Sequence, residues 1–194
     1  VRVEGHELLV RLHAIDGGGS QARGLVHRHL LAQDDLLGCT RVRHGRGRSL
    51  SDLGLEYLDL YLIHFPISLR FVPFEERYPP EWLFDPEAES PHMEFEDVPI
   101  ASTWAAMEGL WEAGLTRDLG VCNMTTGFLR ELLAGALIPP AVLQVEMHPY
   151  LTQERLVRFA AQYDIAVTAF SPLGAGSYVS LGMARENQSA LEDP

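Results

Sequence analysis

A histidine and two side-chain amides stand where apolar runs begin to fail. His64 closes the run Tyr57–His64, Asn123 follows Cys122 at the end of Leu119–Cys122, Gln144 lies inside Val142–Met147, and Ser171 follows Phe170 at the end of Ile165–Phe170. These groups offer hydrogen-bond donors and acceptors, the chemistry of holding and polarising a polar ligand. A lone histidine on an apolar strand is ordinarily a satisfied core residue, and Asn123 has the alternative of capping the helix that follows it. Gln144 differs, because an amide buried in a strand is costly without a partner, which favours a bound one. Cys39 and Cys122 have neither metal nor disulfide spacing, so no metal site is expected. No Gly-rich dinucleotide fingerprint follows a strand. Trp104 and Trp111 read as core, and His148, in a His-Pro-Tyr segment, as shaping a loop.

The elements that must hold these residues are legible from residue 49 onward. Ser49–Leu55 reads as a helix end turned by Gly54, and Tyr57–His64 as a strand buried on both faces and stopped by Pro66. A Pro- and Glu-rich loop follows from Ile67 to about Pro99. Asp97 then caps a helix with Pro99 in its first turn; Trp104, Met107, Leu110 and Trp111 share one face, and Gly114 ends it. The unit repeats: strand Leu119–Cys122, helix Thr125–Ala134 with Phe128, Leu129, Leu132 and Leu133 inward, strand Val142–Met147, helix Gln153–Tyr163 with Leu156, Phe159 and Ala160 inward, strand Ile165–Phe170. Strands alternating with helices of this length predict an α/β fold of parallel β/α units. Chemistry in such folds sits at the C-terminal strand ends, where the polar residues above fall. The first fifty residues are less regular, with Gly17-Gly18-Gly19, a strand expected around Leu8–Ile15 and a short helix around Leu25–Leu37.

Composition bounds the function classes. Apolar residues make up 46% of the 194, enough for one domain with a substantial core. The longest apolar run, Leu58–Ile67, is too short to span a bilayer, so no membrane partner is expected. A net charge of −12 disfavours nucleic acid, which is bound through Lys and Arg. The Arg41–Arg48 stretch has no interleaved aromatic residue, which favours a solvated loop over a nucleic-acid patch. Without a secretory pattern or paired cysteines, the expected setting is reducing and cytoplasmic.

Four motifs in order carry a family resemblance: Leu58-Asp59-Leu60-Tyr61-Leu62-Ile63-His64-Phe65-Pro66, Gly120-Val121-Cys122-Asn123, Leu143-Gln144-Val145-Glu146-Met147-His148-Pro149-Tyr150, and Thr168-Ala169-Phe170-Ser171-Pro172-Leu173-Gly174. They resemble the aldo-keto reductases, and the insert from Phe71 to Pro80, closing with Glu96–Ile100, is similar to the fungal xylose-reductase branch. The resemblance covers about residues 49–180 and implies part of a TIM (β/α)8 barrel, with four units legible. It divides the chain into an atypical segment 1–48, the barrel portion 49–180 and a tail 181–194. It implies an oxidoreductase that reduces aldoses or aldehydes with NADPH or NADH, on a small-molecule substrate. His64 matches the catalytic histidine that orients the carbonyl, and Phe65 an apolar wall of the sugar pocket. Asn123 and Gln144 match residues that hydrogen-bond the nicotinamide carboxamide. Cys122 replaces the usual serine beside them, Phe170 replaces the tyrosine that stacks on the ring, and Ser171 and Leu173 match positions near the pyrophosphate.

In this family a tyrosine donates the proton and a lysine paired with an aspartate tunes it. The chain contains no lysine, all 15 basic residues being arginine, and Tyr57, its first tyrosine, belongs to the histidine strand. Asp16 is a faint echo of the aspartate. The final strand, with its basic cluster for the adenosine phosphate, is unmatched, so the chain reads as truncated at both ends. The reading is thus a reductase homologue impaired in this chain; the alternative is an inactive truncated homologue or a nicotinamide-binding remnant.

Overall fold

The computed structural model describes residues 50, 53–73, 75–76 and 83–174, together with three short strands at 12–13, 25–26 and 29–30. Strands β3 (His29–Leu30), β4 (Leu58–Ile63), β5 (Thr116–Cys122), β6 (Val142–Glu146) and β7 (Ala166–Phe170) form one sheet in that spatial order, every neighbouring pair parallel. Helix α1 (Ile100–Glu112) links β4 to β5, α2 (Thr126–Gly135) links β5 to β6, and α3 (Glu154–Ala161) links β6 to β7. β1 (Leu12–His13) and β2 (Leu25–Val26) form a separate antiparallel pair.

The helix expected over 25–37 is not what its first residues adopt. Leu25–Val26 pairs with β1, and His29–Leu30 pairs with Leu62 and Ile63 of β4. Pairing on a strand edge satisfies backbone groups that weak helical periodicity alone does not. The remainder of that span, the rest of Leu8–Ile15, Asp16, the glycines 17–19, the arginine stretch 41–48 and the tail 181–194 lie outside the described residues.

Alternation along each strand separates two packed layers. Tyr61, Ile63, Leu119, Val121, Leu143 and Val145 face the helices and pack with Trp104, Met107, Leu110, Leu129, Leu132, Leu156 and Ala160. Leu60, Leu62 and Cys122, with Val142 against them, form a second cluster on the opposite, inner face. Gly120 lies in that inner layer and has no room for a side chain. A Cβ there would stand 2.3 Å from a Leu62 methyl and 2.9 Å from the Val142 carbonyl oxygen.

Local signals explain most boundaries. Gly114 (φ +68) ends α1 with Gly114 N–H donating to Trp111 O at 2.9 Å and Leu115 N–H to Leu110 O at 3.0 Å, a Schellman closure. Thr125 caps α2 by accepting from Phe128 N–H at 3.4 Å. Asp97 does not cap α1, contrary to expectation. Pro99 takes the cap position, and the preceding residues are held elsewhere, Glu96 N–H donating to Ser68 O at 2.9 Å and Ser68 Oγ to Val98 O at 3.3 Å. These bonds, with Arg70 N–H to Glu94 O at 2.8 Å and the Leu69–Phe95 bridge, close the neck of the long loop as an antiparallel pair. Trp104 is buried, its indole donating to Ile138 O at 2.9 Å, whereas Trp111 stays 44% exposed in the last turn of α1, past the end of the packed stripe. Phe128 is likewise exposed rather than inward. Glu108 of α1 accepts from the backbone N–H groups of Leu137 and Ile138 at 2.7 and 2.9 Å, fastening the loop after α2 to α1.

Candidate active site

The parallel register sets one row of side chains at the C-terminal rim. Leu62 pairs with Gly120, Cys122 with Gln144, and Gln144 with Thr168, so His64, just beyond β4, falls in line with Cys122 and Gln144. Direct bonds then join the strands. Asn123 Nδ2 donates to the His64 carbonyl oxygen at 2.8 Å, Asn123 N–H donates to Gln144 O at 3.0 Å, and the Cys122 thiol donates to Gln144 Oε1 at 3.1 Å. The capping alternative for Asn123 is thereby excluded; Thr125 does that work, and Asn123 adopts the left-handed region at φ 55 with its side chain turned back onto β4. The His64 and Phe65 rings lie 4.4 Å apart between centroids.

Burial sets the ionisation of this row. Cys122 is 1% exposed, and desolvation pushes its thiol from 9.0 up to about 12, so at neutral pH it is a protonated donor. Gln144 is 7% exposed. Of the remaining candidates, Phe170 ends β7 opposite Glu146 in the register, Ser171 follows it at φ 48, and Leu173 is 65% exposed in the turn that Gly174 N–H closes onto Ser171 O at 2.9 Å. The structure thus joins His64, Phe65, Cys122, Asn123 and Gln144 by direct contact. Phe170, Ser171 and Leu173 stand at the adjoining strand end.

One polar pair at this rim escaped the sequence reading. Glu146 Oε1 meets His148 Nε2 at 3.0 Å, and Gln153 Nε2 donates to Glu146 O at 3.2 Å. A carboxylate only accepts, so the proton of this contact resides on Nε2. His148 also exchanges backbone hydrogen bonds with Leu151 at 3.1 and 2.9 Å, in keeping with its expected loop-shaping part. The available signal was spacing: two polar residues at i and i+2 at a strand end share a face.

This geometry can be set beside known proteins. Residues 40–190 match the Aldo/keto reductase family, and the chain belongs to that family. Its sheet is accordingly part of a TIM (β/α)8 barrel. Over 144 residues it is 49% identical to the NAD(P)H-dependent D-xylose reductase of Scheffersomyces stipitis, covering 74% of this chain and 44% of that one. Over 147 residues it is 44% identical to the NAD(P)H-dependent D-xylose reductase I,II of Candida tropicalis, covering 76% and 43%. Among solved structures, aldose reductase from Giardia lamblia superimposes with a TM-score of 0.63 at 36% identity, over 76% of this chain and 45% of that one. A Bombyx mori aldo-keto reductase in complex with NADP gives 0.62 at 31% identity, over 77% and 42%. The chain thus spans less than half the length of these relatives. No helix among the described residues is long and apolar enough to cross a membrane.

Proposed function

We propose that this chain carries one part of the active site of an NAD(P)H-dependent reductase of aldoses or aldehydes, of the D-xylose reductase kind. The observation that carries the reading is the joined row His64–Asn123–Cys122–Gln144 at the C-terminal rim. The donor set fits a nicotinamide: Gln144 is nine-tenths buried, its oxygen is taken by Cys122, and no group among the described residues takes Nε2. A reduced nicotinamide, when bound, supplies the hydride. Gln144 and Asn123 would hold its carboxamide, Phe170 would offer a ring face for stacking, and Ser171 and Leu173 would serve the pyrophosphate. His64 orients and polarises the substrate carbonyl, with Phe65 as an apolar wall beside it. NADPH and NADH both remain within the reading, which is supported by the NAD(P)H-dependent relatives. The barrel portion is assigned to 49–180, within the family match at 40–190, with 1–48 and 181–194 outside it. The setting assigned is cytoplasmic, and the partner a small molecule rather than a nucleic acid or membrane.

Neither Tyr57 nor Tyr61 is placed as a proton donor to the rim. There is no lysine to tune one. Tyr57 precedes β4, at the end away from His64, under the Arg117 guanidinium at 4.3 Å, and Tyr61 packs in the helix-side core. This observation favours a second reading, a noncatalytic homologue that retains nicotinamide affinity. General acid catalysis contributes about 10²- to 10⁴-fold, so the 194-residue chain is expected to reduce D-xylose negligibly with either cofactor. Steady-state assays of the purified chain test this. Turnover in the common range of about 1–10³ s⁻¹ would show that a proton donor is present after all.

A further inference from the structure

The two rim amides are each held in a single orientation by a group on a neighbouring strand. Asn123 meets a backbone carbonyl at 2.8 Å, an atom that only accepts, so the nitrogen of its amide points to His64 and Oδ1 points away. Gln144 accepts from the Cys122 thiol at 3.1 Å, so the oxygen of its amide points to Cys122 and Nε2 points away. Gln144 is 7% exposed, yet Nε2 has no partner among the described residues and is not among the fully enclosed unpartnered atoms. That nitrogen therefore reaches the surface of the described residues with its protons uncommitted. We propose that Cys122 is a positioning residue for nicotinamide binding, its thiol hydrogen fixing Gln144 with Nε2 turned outward at the rim. The inference rests on the reductase reading for the identity of the ligand, while the thiol–amide lock belongs to the chain without any ligand.

The consequence is a fixed pattern at the rim, a donor at Gln144 and an acceptor at Asn123. A primary carboxamide presents the complement, a carbonyl oxygen and an N–H pair. Burial keeps the thiol protonated across the neutral range, so the lock holds wherever the protein works. Without the thiol, the Gln144 amide is free to turn its oxygen outward, and only the fraction with Nε2 outward binds well. The apparent affinity falls by that fraction, about two- to tenfold.

The test uses the 194-residue chain in a Cys39→Ser background, leaving Cys122 as its one thiol. Infrared spectroscopy of the S–H stretch without ligand is expected to give a band lowered by hydrogen bonding, which moves to higher frequency in Gln144→Leu. Titration with reduced nicotinamide mononucleotide is expected to show about two- to tenfold weaker binding in Cys122→Val and recovery in Cys122→Ser, whose hydroxyl donates to the same oxygen. An S–H band unchanged by Gln144→Leu overturns the lock, and this comparison holds even if the valine variant fails to fold. Equal binding by Cys122→Val and the parent overturns the positioning role. A parent chain that binds no reduced nicotinamide overturns the reductase reading and the ligand role together, with the S–H band still deciding the lock by itself.

Discussion

At the scale of single residues, burial decides what each polar group at the rim can do. Cys122 sits among Leu60, Leu62 and Val142, and that surrounding, rather than any charge, raises its thiol to about 12. The folded state therefore withholds ionisation that the unfolded chain allows from about pH 9. The stabilising difference is complete below 9.0 and is lost as pH rises from there toward about 12, because the unfolded state then holds fewer protons than the native one. Denaturant unfolding of the parent and of Cys122→Ser isolates this group. The parent's stability relative to the serine variant is expected to fall between pH 8 and pH 11 by an amount on the order of a few kcal/mol, and a pH-independent difference would contradict it. At pH 8 the native thiol is also expected to resist alkylation until the chain unfolds. His64, Asn123 and Gln144 were legible in sequence because polar residues at the ends of apolar runs are conspicuous. The bond between Cys122 and Gln144 was not, since it depends on the register that faces β5 to β6, which neither residue's own neighbours in sequence reveal.

Among the elements, those buried on a regular period were legible and those settled by distant partners were not. Strands β4 to β7 and helices α1 to α3 fall within a few residues of their expected bounds, because period-2 and period-3.6 burial both leave a trace in composition. The start of α1 was misread, since Asp97 looks like a cap until Ser68, 29 positions earlier in the chain, is seen to hold Glu96 and Val98. The helical period puts Trp111 and Phe128 inside, yet they are 44% and 39% exposed among the described residues. Gly120 shows a constraint of packing rather than of turning. Its missing side chain lets Leu62 lean across β5, and the Val142 carbonyl behind it is backbone that cannot rotate away. Gly120→Ala is therefore expected to cost about 1–3 kcal/mol through overpacking, measured as a shift of the urea midpoint at unchanged slope. An alanine variant as stable as the parent would mean that the inner layer yields more readily than this geometry implies.

For the whole molecule, the central matter is how much of a barrel is present and what it retains. The β4 edge is met by β3 over two residues, while the outer edge of β7 has no strand partner among the described residues. Barrel strands are apolar on both faces, and open edges of that kind invite pairing with other chains. Residues 51–194 expressed alone are accordingly expected to self-associate or to unfold without a single cooperative transition. A monodisperse monomer with one sharp unfolding step would show that the segment closes by another route. The family was legible from four motifs because all four lie at strand ends, the positions that one half of the site requires. The lysine that tunes the family's proton donor has no counterpart to read, because the chain contains no lysine. The claim that the rim of β4 to β7 is a nicotinamide site is tested most directly by equilibrium titration of the 194-residue chain with reduced nicotinamide mononucleotide, followed by the ligand's own fluorescence, with Gln144→Leu and the surface control Glu131→Gln in parallel. The account predicts saturable binding that Gln144→Leu weakens by about tenfold or more and that Glu131→Gln leaves unchanged. Binding of equal strength in all three chains, or none in any, would contradict it.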